Sequence, residues 1–195
     1  MIFIKIILEF EKLLYTLIKF LPGVIGKLLR RFYLGIFINL GKNFTCETGF
    51  TIKNYKNIKI NKNCKIGYNN FMIANDGGII EIGKNFATSN NVTINGSNKG
   101  KISIGDDVLI APNVVIRASD HIHEKKNINI NQSGHKPGKI IIENNVWIGA
   151  NSVILKNVRI SSGSIIGAGS VITKDIPENT IVINSKQLIL KKRFE

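Results

Sequence analysis

The chain predicts an all-β protein, a parallel β-helix preceded by amphipathic helices and interrupted by one protruding loop. Three observations carry this. Isoleucine returns every sixth residue over most of the length, Asn, Gly and Asp fill the intervals, and the beat breaks once, at the stretch that holds all three histidines.

The N-terminal segment MIFIKIILEFEKLLYTLIKFLPG is apolar, but Lys5, Glu9, Glu11, Lys12 and Lys19 interrupt it. No run approaches the roughly 18 to 20 apolar residues a spanning helix needs. Phe3, Ile7, Phe10, Leu14, Leu17 and Leu21 instead repeat at helical spacing, and Pro22-Gly23 ends the pattern. A second amphipathic stretch, VIGKLLRRFYLGIFI, groups Leu28, Leu29, Phe32 and Ile36, with Lys27, Arg30 and Arg31 adding positive charge. Residues 1–41 are therefore expected to form a helical segment. It either packs on the main domain or lies in an anionic membrane surface with a basic rim, and the two roles are compatible.

From about residue 42 the helical period disappears. Ile104, Ile110 and Ile116, then Ile142, Ile148, Ile154, Ile160, Ile166 and Ile172, stand six apart. Weaker copies precede them at Ile60 and Ile66 and at Ile82, Thr88 and Ile94, with slips from Ile66 to Ile73 and from Ile94 to Ile104. Six residues suit one short strand plus one corner of a triangular solenoid. The isoleucine points inward and stacks on its equivalent one coil away, at the roughly 4.8 Å spacing of parallel strands. Asn, Gly and Asp tolerate the corner. Residues 42–184 then form a β-helix of about six or seven coils, roughly 30 Å long, with a loop at 117–141 and a basic tail at 185–195.

Composition narrows the partners. A net charge of +14 asks for an acidic partner. The lysines are scattered, and there is no helix-turn-helix spacing, zinc-finger pattern or run of aromatics interleaved with arginine, so nucleic acid is not expected. Cys46 and Cys64 form neither a CxxC nor an even framework, which fits a reduced compartment and hence the cytoplasm.

The loop, IRASDHIHEKKNININQSGHKPGKI, carries His121, His123 and His135. An imidazole titrating near 6.5 suits removal of a proton from a hydroxyl at neutral pH. Ser119, Asp120 and His121 do not form a hydrolase triad, because consecutive residues point in different directions. A three-histidine zinc site is the competing reading.

In IGDDVLIAPNVVI, DHIH, NQSGHKP, VWIGANSVIL and IGAGSVITKDIP the chain resembles the hexapeptide-repeat acyltransferases, over about residues 42–183. Within them it is most similar to the branch of maltose, galactoside and xenobiotic acetyltransferases and the sugar O-acetyltransferases of capsule, O-antigen and exopolysaccharide clusters. The resemblance implies a left-handed β-helix, a homotrimer with sites between neighbouring subunits, acetyl-coenzyme A as donor and no metal. It implies a histidine general base on the loop, matched best by His121, with His123 as the alternative and His135 exposed or peripheral. The γ-class carbonic anhydrases share the fold, but their ligand histidines are spaced differently.

Other positions follow from the same resemblance. Asn113 and Trp147 match positions near the acceptor, while an Asn at a corner or a Trp on a solenoid wall also has a structural reading. Gly149, Ala150, Gly167 and Ala168 lie where the family passes the pantetheine arm, and Lys174 where a basic group meets cofactor phosphate. After DIPENTIV the family usually continues Gly-x-Pro-Ala, whereas this chain reads INSKQLILKKRFE; Lys191, Lys192 and Arg193 remain as candidates for the 3′-phosphate. The expected function is O-acetylation of a sugar of a cell-surface polysaccharide or its precursor, in the cytoplasm or at the inner face of its membrane. N-acetylation of a nucleotide-linked amino sugar and a trimeric non-enzymatic scaffold are the alternatives.

Overall fold

The computed structural model describes residues 13–38, 40–124 and 126–183. Phe3, Ile7 and Phe10 of the N-terminal pattern, and Lys191, Lys192 and Arg193 of the tail, lie outside the described residues.

Short parallel strands stack into three sheets of seven, six and five strands, the faces of a left-handed parallel β-helix. Register partners name the three inward ladders. They run Cys46–Ile66, then Ile110–Ile148–Ile166–Val182 on the first face, Ile52–Met72–Ile94–Ile116–Ile154–Ile172 on the second, and Ile60–Ile82–Ile104–Ile142–Ile160 on the third. Each isoleucine buried this way contributes roughly 1.5–3 kcal/mol relative to exposure. Two residues before each of these, a second inward position is filled by complementary volumes, with Phe44, Cys64, Phe86, Val108, Val146 and Ser164 in order along the first face, all buried.

Of the two upstream slips, the one from Ile94 to Ile104 is present as a small loop and the one from Ile66 to Ile73 is not. Met72, not Ile73, faces inward one step after Ile66, so the sixfold beat continues there. The additional residues sit instead in wider corners, around Ala74–Gly78 and Gly96–Gly100, where Asn75 O accepts from Gly78 N and Ser97 O from Gly100 N.

The corners explain the asparagines. Asn43, Asn63, Asn85, Asp107 and Asn145 on the edge between the third and first faces all have φ between 54° and 60°, the left-handed conformation that Asn and Asp adopt more readily than other side chains. Their side chains also bond along the edge, Asn43 donating to Asn63, Asn63 to Asn85 and Asn85 to Asp107.

Before the β-helix, residues 13–20 form helix α1 and Gly23–Phe37 form helix α2. Arg30 corrects the expected basic rim: it is 1 % exposed, and its guanidinium donates to the carbonyls of Ile18, Lys19, Leu21 and Cys46. It caps the C-terminal end of α1 and ties both helices to the first coil. Tyr15 stacks on Tyr33 at 5.1 Å and donates to Phe50 O. The opposite side, with Leu17, Val24, Ile25, Leu28, Phe32 and Ile36, is exposed.

Candidate active site

The chain leaves the solenoid at the edge between the second and third faces, directly after strand Val115–Arg117. The foot of the excursion is stitched in place: Ala118 N donates to Asn95 O, Gly138 N to Ala118 O, and Lys101 N to Gly138 O. Between these points Ser119–His121 pairs antiparallel with His135–Pro137. Asp120, on the pair's other side, meets Lys156 at 3.3 Å, and Lys156 Nζ also donates to Lys136 O from one coil further on. At the outer end the Ser133 hydroxyl lies against the carbonyls of Ile122 and Ile130, closing a turn over Ile130–Gln132.

Register decides the histidine geometry. His121 and His135 are direct cross-strand partners, which puts their side chains on one side of the hairpin, and their ring centroids are 4.2 Å apart. His121 is exposed and His135 half-buried. Desolvation, then the neighbouring His121 and Arg117, lower the His135 pKa from its usual 6.5, with Asp76 acting the other way. His123 lies past the end of the strand, its Nδ1 3.2 Å from His121 O. Among the described residues no three His, Cys, Asp or Glu side chains gather as a metal-holding group.

The remaining candidates sit elsewhere on the prism. Asn113, Gly149, Ala150, Gly167 and Ala168 line the edge between the first and second faces. Asn113 has φ 60° and takes part in a side-chain ladder from Asn91 to Asn151, which gives it a structural role at the corner. Gly149 is buried, and a Cβ there would stand 2.6 Å from Ala168 N and 2.7 Å from Ile166 O, so stacking excludes a side chain. Trp147 projects from the first face between Leu109 and Ile165, half-exposed. Lys174 is exposed on the edge that carries the histidine hairpin.

One chain therefore does not bring the two groups together. The six-stranded second face separates the edge with Asn113, Ala150 and Ala168 from the edge with His121. The sequence reading missed Lys156, Arg117 and Ser119 as supports of the hairpin. Their corner and strand positions were readable, but the antiparallel pairing that makes them neighbours of the histidines was not.

A three-sided parallel solenoid on a six-residue beat, broken at an edge by a histidine-bearing hairpin, is the architecture of a hexapeptide-repeat protein. The family model described as bacterial transferase hexapeptide (six repeats) matches residues 139–174. The galactoside O-acetyltransferase of Escherichia coli K12 is 43% identical over 107 residues, 54% of this chain and 50% of that protein. A protein of the same strain, named provisionally as the lipopolysaccharide biosynthesis O-acetyl transferase WbbJ, is 30% identical over 160 residues, 67% of this chain and 80% of that one. A hexapeptide-repeat acetyltransferase from Vibrio cholerae, solved with acetyl-coenzyme A, superposes with a TM-score of 0.53 at 25% identity, covering 78% of this chain and 68% of that one. The chain belongs to the hexapeptide-repeat acetyltransferase family. It spans about half the length of the galactoside O-acetyltransferases it matches.

Proposed function

We propose that this protein transfers an acetyl group from acetyl-coenzyme A to a sugar hydroxyl of a cell-surface polysaccharide or its precursor. The observation that carries the reading is His121, exposed on a pinned hairpin at the edge where the chain leaves the solenoid. The names of its relatives, acting on galactosides or assigned to lipopolysaccharide biosynthesis, support the acceptor class.

In this reading His121 takes the hydroxyl proton as the oxygen attacks the thioester carbonyl, and the coenzyme A thiolate leaves from the resulting tetrahedral adduct. Ala150 and Ala168 leave room for the pantetheine arm along their edge, Gly149 and Gly167 keep that edge flat, and Lys174, Lys192 and Arg193 meet phosphate. Asn113 and Trp147 face the acceptor. Because the two edges are apart in one chain, the reading requires a homotrimer in which the hairpin of one subunit meets the small-residue edge of the next.

The test is acceptor-dependent release of coenzyme A from the purified full chain, read with a thiol reagent. The protein's own thiols are suited to this assay: Cys46 and Cys64 are buried, and burial pushes the Cys46 thiol up to about 12. A base-labile ester product supports the reading. A base-stable amide moves it to the amino-sugar alternative, and no coenzyme A binding moves it to the scaffold.

The exposed apolar side of α1 and α2 supports peripheral attachment to anionic lipid. No helix among the described residues is long and apolar enough to cross a membrane. Leu28, Phe32 and Ile36 border a shallow groove with Arg31 at its rim, the arrangement of an interfacial helix. Vesicles containing anionic lipid are expected to bind the protein at low salt and to release it as salt rises. Leu28→Glu with Phe32→Glu should abolish binding while leaving turnover of a soluble acceptor within about twofold. Equal binding by wild type and variant would remove the helices from this role.

A further inference from the structure

We propose that His135 is a positioning residue for His121, its ring holding the neighbouring imidazole in the orientation from which it accepts a proton. The inference rests on the reading of His121 as general base.

An exposed histidine on a hairpin of three residues per strand would ordinarily sample several rotamers. His121 does not stand alone, because direct register places the His135 ring 4.2 Å away at an interplanar angle of 40°. His135 is the half-buried member of the pair and so the better anchored. The anchoring continues beneath it: Lys156 grips both strands, through Asp120 of one and the Lys136 carbonyl of the other, and Arg117 Nε donates to Ser119 O.

Charge points the same way. The groups facing His135 are His121 from the opposite strand, Arg117 from the strand before the loop, and Asp76 from a neighbouring corner. Two of the three oppose a positive charge on His135, as does its desolvation, so its uncharged form is favoured. A neutral ring beside His121 does not repel the imidazolium that forms when His121 takes a proton. Asp120 and Lys136 project to the other side of the hairpin, where Lys156 and Glu124 pair with them.

The test is a double-mutant cycle on the full chain. His135→Ala is expected to lower kcat about tenfold, with KM for acetyl-coenzyme A unchanged, since misplacement of a reacting group acts on turnover. His135→Phe keeps a flat ring and should retain turnover within about threefold. In a His121→Ala background, His135→Ala should cause no further loss. Nuclear magnetic resonance of the free protein adds a readout independent of activity, because the His121 ring proton signals should shift and broaden in His135→Ala. Wild-type kcat in His135→Ala, or a tenfold loss in His135→Phe, would overturn the proposal, as would additive losses in the cycle. Should His135→Ala open the hairpin, seen as protease sensitivity of the loop, His135→Phe alone decides by the same criterion. Full activity of His121→Ala would instead sink the general-base reading, while the resonance of His121 would still report the ring contact.

Discussion

Replacing His121 by alanine is expected to lower turnover by about 10² to 10⁴, the contribution of a positioned general base. The β-helix should be unaffected, because His121 is exposed and lies beyond the stitched foot at Ala118 and Gly138. Coenzyme A affinity should also stay near wild type, since a base acting at proton transfer contributes little to ground-state binding of the donor. His123→Ala should lose much less, because its ring turns toward the His121 carbonyl outside the hairpin pairing. Steady-state kinetics with a sugar acceptor and calorimetric titration with coenzyme A read these separately. The reverse ranking would move the base two residues along the chain. Full activity in both variants would remove the imidazole from the mechanism.

The largest effect on stability is expected from Phe86→Ala. Phe86 is fully buried in the inner stack of the first face, between the smaller Cys64 and Val108 of the adjoining coils. Its neighbours are held by strand register on both sides, so they cannot close on the space left behind. Deleting a buried phenylalanine from such a site costs about 3–5 kcal/mol. Urea unfolding followed by circular dichroism should show the midpoint falling with little change in slope. A loss under about 1 kcal/mol would mean that the coils collapse freely onto the cavity, contrary to close stacking.

The solenoid was readable because its physics is local and repeated. A six-residue unit that buries one isoleucine and turns at an asparagine states its geometry many times over, from Ile104 to Ile172. Even the error was local, since Met72 serves as well as isoleucine at an inward position and hides the beat from an eye that follows isoleucine alone. The histidine cluster was readable as a break, but its internal arrangement was not. That His121 faces His135 depends on a pairing across 14 residues with no period to announce it. Arg30 shows the same limit. On a helical wheel it belongs with Lys27 and Arg31, and nothing nearby in the sequence names the four carbonyls that take it inside. Whether a residue is a rim charge or a buried clamp depends on which chain ends happen to fall beside it.

The way the two helices meet the first coil bears on what the protein does in company. A parallel solenoid begins on an open rung whose amide and carbonyl groups invite another strand, and a stack of identical rungs gives such an end every reason to grow into a fibre. Here that rung is already answered: Gly49 N donates to Lys19 O, Cys46 O receives Arg30 and Phe50 O receives Tyr15. The helices thus act as a stopper, and the molecule can expose long flat faces to its neighbours without being extended end to end by another copy at this rung.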